Sequence, residues 1–360
     1  MHPSLNPVVI PDSVAVSRRP NPRNPVEPEA MARFDGKTLF YDVFVDDQRR
    51  RLVAIGPPAL NLADYVDAMT LSIDGREVAF QRQEWDEQRL SLLTAALPAA
   101  ATHRVTFSFA DFTTTLDLAG DGEAPPPRNV LAAISKNNRT RWISEWVDFY
   151  RARYPLDAIY LYDNGSDNVD ELETVLAGRA QVIRWHFPYG PPGKVFNKFA
   201  QAGALNHCLR RFVGRGVLFN FDIDELLIAD PERILADVAR QGTLYFDSYN
   251  VPYVTPASDD YSYGDFCHRY AQRKTTARKF ICRAEAVDVI SQHNTWRYRG
   301  PRFWKRLKRN KPDTRTSRDG HFLHFLGITT NWQPWLNKLE PVSPQDLVFD
   351  DSHCRGRTDP

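Results

Sequence analysis

The sequence predicts an α/β protein, a mostly parallel sheet flanked by helices, preceded by a small β-sandwich domain. Three observations carry that expectation. Short alternating apolar runs with polar turns fill residues 31–119. A break of two glycines and three prolines, GDGEAPPPR, occupies 120–128. Beyond it, apolar runs of strand length alternate with amphipathic helical stretches.

The first part divides as follows. Residues 1–30 hold seven prolines and no apolar periodicity, and are expected to form a disordered tail. Leu39–Val45 and Arg51–Ile55 are strand runs, and Thr70–Ile73 meets Asp74-Gly75, a tight-turn dipeptide, before Glu77–Phe80. Arg89–Leu93, Arg104–Phe109 and Thr113–Leu118 continue the series as a β-rich accessory domain.

In the second part, expected to run from 129 to 340 with a terminal tail at 341–360, Asn129–Ser135 is an apolar strand. Trp142, Trp146 and Phe149 recur at helical spacing. Ala158–Tyr162 and Gln181–Phe187 are further strands around a short helix at Asp170–Leu176. Phe199, Ala202, Leu205, Leu209 and Phe212 line another helix, and Gly216–Phe221 reads as a strand buried on both faces. Asp230-Pro231 is a good helix opening, and Thr243–Tyr253 is again a strand.

Composition narrows the functional classes. With 42% hydrophobic residues the chain is not disordered as a whole. Lys plus Arg, 46, nearly cancels Asp plus Glu, 45, which argues against a surface built to coat nucleic acid. No apolar run reaches the ~18 residues of a membrane helix, and the first thirty residues lack a signal-like apolar core. The four cysteines form no C-x-x-C pair, so reduced thiols in the cytoplasm are expected.

Two strand ends stand out, because open parallel sheets bind ligands at the carboxyl ends of their strands. One is Tyr162-Asp163-Asn164-Gly165-Ser166-Asp167-Asn168; the other is Asn220-Phe221-Asp222-Ile223-Asp224-Glu225. In a strand, residues i and i+2 point to one face, so Asp222 and Asp224 present both carboxylates together. Two such carboxylates call for a cation, and hard oxygen ligands select Mg²⁺ or Mn²⁺.

The order Ile134-Ser135-Lys136-Asn137, Glu145-Trp146, Tyr162–Asn168 and Phe221-Asp222-Ile223-Asp224-Glu225 resembles the GT-A type glycosyltransferases. It is most similar to glycosyltransferase family 92 and related bacterial family-2-like glycosyltransferases. Asn138 stands where that family usually has Glu, and Leu226 where it usually has Phe. The resemblance implies a GT-A (Rossmann-like) sheet and a metal-dependent, inverting transfer from a nucleotide-sugar donor, a UDP-sugar and UDP-galactose in particular, to a glycan or lipid-linked acceptor. It assigns Ser135, Lys136, Asn137, Asp163, Asn164 and Ser166 to donor binding, with Asp163 accepting from the base. Gln201, Asn206, Lys279 and Arg283 are expected to face the donor as well, the last two gripping diphosphate. Asp222 would touch both donor and metal, Asp224 the metal, and His324 resembles the family's late third ligand, with His293 its competitor.

An inverting transfer needs a base near the acceptor hydroxyl. Asp259, Asp260 and Asp265, in an aromatic loop with Tyr253, Tyr261 and Tyr263, are the candidates. The stretch 296–318 carries ten Lys or Arg against one acid. It is expected to be a mobile loop closing on the diphosphate, with peripheral contact at the inner membrane face as the alternative. Two other functions compete with this one. A nucleotidyltransferase would show a Gly-rich phosphate loop, which Ser135-Lys136-Asn137-Asn138 is not. A non-catalytic carbohydrate-binding scaffold would not need Asp163, Asp222 and Asp224 intact.

Overall fold

The computed structural model describes residues 4–85, 89–120, 129–191, 197–297, 315–328, 342–343 and 347–354. The 120–128 linker after Gly120 and most of the basic stretch at 296–318 lie outside them.

In chain order the strands begin with β1 (Val8–Val9), β2 (Thr38–Phe40), β3 (Asp42–Asp46) and β4 (Arg51–Gly56). A short helix α1 (Ala63–Asp67) precedes β5 (Thr70–Ile73), β6 (Arg76–Glu77), β7 (Phe80–Trp85), β8 (Leu90–Ala96), β9 (Thr102–Ser108) and β10 (Thr113–Ala119). Then come β11 (Asn129–Ser135), α2 (Thr140–Arg153), β12 (Ala158–Asp163), α3 (Val169–Val175), β13 (Gln181–Arg184), α4 (Phe199–Arg211) and β14 (Val217–Asn220). The rest comprises β15 (Glu225–Ile228), α5 (Pro231–Gln241), β16 (Thr243–Val251), β17 (His268–Arg269), β18 (Lys274–Arg283), β19 (Val289–Ile290), β20 (Thr295–Trp296), β21 (Thr316–Phe325) and β22 (Val348–Phe349).

The chain forms two compact units, residues 3–126 with 186–211 and residues 127–185 with 212–360. The first holds two four-stranded antiparallel sheets, β3-β4-β8-β7 and β10-β9-β5-β6. Their inward residues, among them Val43, Leu52, Leu71, Leu93, Val105 and Phe107, share one core. The Asp74-Gly75 turn joins β5 to β6 with both residues at positive φ, 53° and 77°, as a tight hairpin requires.

Two expectations fail in this unit. The N-terminal stretch is not a disordered tail. Val8, Ile10 and Val14 lie in the core, and Val8 pairs with Phe40. Arg18, buried, donates to the carbonyls of Pro58, Asp35 and Thr38 at 2.6–2.7 Å. The prolines mask a sparse apolar pattern that is sufficient because long-range partners complete it. The second failure is α4, expected to cover the parallel sheet. It packs with the β-rich unit: His207 Nε2 lies 2.7 Å from Asp42 Oδ2, and Arg211 Nη1 2.8 Å from the same oxygen, with His207 and Asp42 wholly buried.

The second unit is built on an eight-stranded sheet, β13-β12-β11-β14-β18-β16-β21-β15. β13, β12, β11 and β14 are parallel neighbours. From β14 onward the sheet is mixed: β18 is antiparallel to β14 and β16, β21 is parallel to β16, and β15 is antiparallel to β21. The α/β class stands, but the sheet is mixed rather than mostly parallel. Strand–helix alternation was legible only for the first half.

Burial follows composition. Val130–Ile134 of β11 are buried, and α2 turns Trp142, Ile143, Trp146, Val147 and Tyr150 into the same core as Leu161, Phe219, Phe221 and Phe322. Helix α5 starts as its sequence dictates: Asp230 Oδ1 accepts the Arg233 N–H at 3.1 Å, Pro231 follows, and Gly242 closes it at φ 86°. The end at 341–360 is not merely a tail. β22 pairs with β17, and His353 is buried.

Candidate functional site

The carboxyl ends of β11, β12 and β14 lie side by side, since Ser135 pairs with Asp163 and Ala132 with Asn220. The Asn220–Phe280 pairing brings the middle of β18, with Lys279, alongside them.

Pairing of β14 stops at Asn220, and the next residues turn. The Glu225 N–H reaches back to the Asp222 carbonyl at 3.1 Å. This removes the alternation on which the expected Asp222–Asp224 pair depended. Asp222 faces inward with Glu225, whose Oε2 accepts the Asp222 N–H at 2.8 Å. Lys279 Nζ sits 2.6 Å from Asp222 Oδ2 and 3.1 Å from Glu225 Oε2. Gln292 Nε2 donates to Asp222 Oδ2 at 2.9 Å. Asp224 turns the other way, with its Oδ2 3.3 Å from His324 Nε2.

The result is a second grouping of ligand atoms. Asp224, Glu225 and His324 each offer one within 4.8 Å of the others. Glu225 therefore stands where Asp222 was expected. Two carboxylates and an imidazole fit Mn²⁺ or a related divalent ion.

Aromatic side chains hold the turn. Trp146 Nε1 donates to the Asp222 carbonyl at 3.0 Å, and the Tyr150 hydroxyl to that of Glu225 at 3.1 Å. The Tyr263 hydroxyl donates to the carbonyl of Ile223, between the two aspartates. The Glu145-Trp146 pair on α2 thus sits at this site through its indole.

The electrostatics follow from burial and charge. Burial pushes the Glu225 carboxyl up, Lys279 opposes this, and the Asp222 and Asp224 charges add to it, leaving it at about 7. Burial also raises Asp222, but Lys279 outweighs it and the group ends below its ordinary value. Lys279 is lowered by burial and raised further by its two carboxylates. Burial lowers His324, but the hydrogen bond and charge of Asp224 win, and the imidazole is raised. His324 Nδ1 lies 3.3 Å from Asn250 Oδ1. His293 turns its Nδ1 to the Arg278 carbonyl at 3.2 Å, and its charge bears on Asp222. His321 packs edge-on against Tyr249 and is pushed down to about 4 by burial.

The other expected donor residues fall into two groups. Ser135, Asn137, Asp163, Asn164 and Ser166 lie together, but largely bonded to the protein. Asp163 Oδ2 accepts the N–H groups of Gly165 and Ser166, both at 3.0 Å. Gly165 takes φ 79° to make that turn, with the Lys136 ammonium close by. Asn137, itself at φ 50°, donates its N–H to Ser166 Oγ and exchanges side-chain bonds with Asp167. Asn164 Nδ2 donates to the Trp185 carbonyl at 2.6 Å, and Asn138 Nδ2 to Ser135 Oγ at 2.7 Å. Two buried oxygens at these strand ends, Asn138 Oδ1 and Asn220 Oδ1, have no hydrogen-bond partner among the described residues.

Four of the expected donor residues stand otherwise than expected. Lys279 is wholly buried and committed to Asp222 and Glu225, so it is their counter-ion and not an open grip for diphosphate. Arg283 lies four residues further along β18, about 13 Å away at strand rise, where it donates to the Ala239 carbonyl. Gln201 and Asn206 belong to α4 in the β-rich unit. There Gln201 accepts from the Tyr189 hydroxyl, and buried Asn206 bonds the Ala202 carbonyl and Arg210.

Of the acids proposed as base, Asp260 pairs with Arg141 at 2.8 Å and is exposed, and the Asp259 carbonyl accepts from Arg139. Asp265 accepts the Ser262 N–H as a turn cap. Glu225, Gln292 and Asn250 were missed. Glu225 alone had a sequence signal, its place directly after the acidic pair.

An acidic turn at the strand ends of an α/β sheet, with a histidine brought up from a distant strand, is a group of side chains that could hold a metal ion. The model of glycosyltransferase family 92 matches residues 136–355, and the chain belongs to that family. No curated protein matches the chain. Among solved structures, S. aureus TarS 1-349 is 14% identical with a TM-score of 0.27, covering 44% of this chain and 47% of that one. A 4-diphosphocytidyl-2C-methyl-D-erythritol synthase is 9% identical with a TM-score of 0.25, covering 45% and 77%. The chain thus spans about half of the TarS structure it matches, and at these TM-scores neither likeness carries an argument.

Proposed function

We propose that the chain transfers a sugar from a nucleotide-sugar donor, a UDP-sugar as the family resemblance implies, to a glycan or lipid-linked acceptor hydroxyl with inversion, within a GT-A type sheet. The observation that carries the reading is the convergence of Asp224, Glu225 and His324 within 4.8 Å, at the strand ends of a family 92 chain.

These three residues would hold a divalent ion, which when bound supplies charge neutralisation for the departing diphosphate. Lys279 keeps Asp222 ionised and holds both Asp222 and Glu225 in place. The Asp163 turn holds the neighbouring loop in shape, and Ser135, Lys136, Asn137, Asn164 and Ser166 supply the donor-side wall. Buried Asn138 Oδ1 and Asn220 Oδ1 offer acceptors for donor N–H or O–H groups. The base role falls to Asp260 or Asp259. Asp260 is open to an incoming hydroxyl, whereas Asp265 is spent on its cap.

The test is ligand-induced stabilisation: UDP should raise the melting temperature with Mn²⁺ and not with EDTA, and Asp224→Asn should remove the effect. A non-catalytic scaffold would show no metal-dependent stabilisation.

A further inference from the structure

Away from the acidic turn, the described residues hold a second cluster of ligating side chains. Cys267, His353 and Cys354 each bring one ligand atom within 4.8 Å of the others. The pairing of β17 with β22 and the Asp350 N–H to the Cys267 carbonyl, at 2.8 Å, bring the two stretches together. Arg153 fastens the second by donating to the carbonyls of Ser352 and His353 at 3.0 and 3.1 Å.

His353 is 6% exposed. Its Nε2 lies 3.0 Å from the Tyr263 carbonyl, which can only accept, so Nε2 carries the proton and Nδ1 the lone pair. Nδ1 is buried and has no hydrogen-bond partner among the described residues. A backbone carbonyl fixing the tautomer from behind is the usual support of a metal-binding imidazole.

We propose that Cys267, Cys354 and His353 bind a borderline-soft divalent cation of the zinc class, which pins the C-terminal segment to the loop carrying Tyr263. Two thiolates and an imidazole favour such an ion over Mg²⁺ or Mn²⁺. Binding replaces the two thiol protons, which leave to solvent. The fourth position falls to water or to Asp351, whose charge bears on the Cys267 thiol. The pin reaches the acidic turn through one residue: Tyr263 gives its carbonyl to His353 and its hydroxyl to Ile223. A Cys267–Cys354 disulfide is the rival, and it would leave His353 Nδ1 unused.

The experiment measures metal content of the full chain, then replaces the metal with Co²⁺. About one zinc per chain, and a near-ultraviolet thiolate-to-cobalt band unchanged in Asp224→Asn, is the expected result. Cys267→Ser and Cys354→Ser should each weaken zinc binding by tenfold or more. If those variants do not fold, the cobalt spectrum of the unsubstituted chain still decides. Absence of the thiolate band, or a mass two hydrogens lighter that marks a disulfide, would overturn the proposal.

Discussion

Lys279 Nζ lies 2.6 Å from Asp222 Oδ2 with no solvent exposure of the lysine side chain, and the same ammonium reaches Glu225 at 3.1 Å. The charge at the centre of the candidate site is thus balanced from within the sheet. Removing the cation would leave the buried Glu225 carboxylate facing the partly buried Asp222 with no counter-ion. Lys279→Met should therefore cost about 3–5 kcal/mol, and Lys279→Met combined with Glu225→Gln should recover part of that loss. Urea unfolding of the four species in this cycle provides the check, and simple additivity would contradict the coupling.

The pH dependence of the metal-free protein follows from Glu225 and His324. Glu225 moves from an ordinary value of 4.5 up to about 7 on folding. The native state then binds more protons than the unfolded one, so stability falls as pH rises from 4.5 towards 7. The raised His324 acts in the same direction, its contribution being lost as pH rises through its folded value. Asp222, lowered in the fold, loses its contribution only as pH falls below the ordinary carboxylate range. Glu225→Gln should flatten the fall between pH 4.5 and 7 in melting experiments with EDTA.

Tyr263 ties the Asp222–Asp224 turn to the neighbouring loop through its hydroxyl. Tyr263→Phe should cost about 1 kcal/mol of stability, and lower sugar transfer more than it lowers UDP binding. A variant with unchanged stability and turnover would show that the tie is idle.

Truncation before residue 128 should fail. Helix α4 buries Phe199 through Leu209, and Asp42, 165 residues away in sequence, holds His207. A fragment lacking the β-rich unit exposes that face, and we expect aggregation on expression. A soluble, cooperatively melting fragment would contradict this.

These cases show what the sequence could and could not convey. The helices and the parallel strands are local patterns, and Asn129–Ser135, Trp142–Tyr150 and Asp230–Gln241 announce themselves through periodicity and caps. The acidic pair was visible as residues but not as geometry, because the strand stops at Asn220 and only tertiary pairing decides that. Lys279 was expected to grip the donor diphosphate; its burial depends on carboxylates more than fifty positions earlier. The allegiance of α4 was illegible for the same reason, its amphipathic face being equally suited to either sheet. His324 was named only through its resemblance to the family's late histidine, and Asn250 beside it carried no signal.

The central claim is tested most directly by incubating the chain with a panel of nucleotide sugars and Mn²⁺ and measuring release of nucleoside diphosphate. The account predicts slow release from a UDP-sugar, lost with EDTA and lowered at least a hundredfold by Asp224→Asn, on the order of what removal of a transition-state charge contact costs. No release from any donor, or release indifferent to EDTA and to Asp224→Asn, would contradict it.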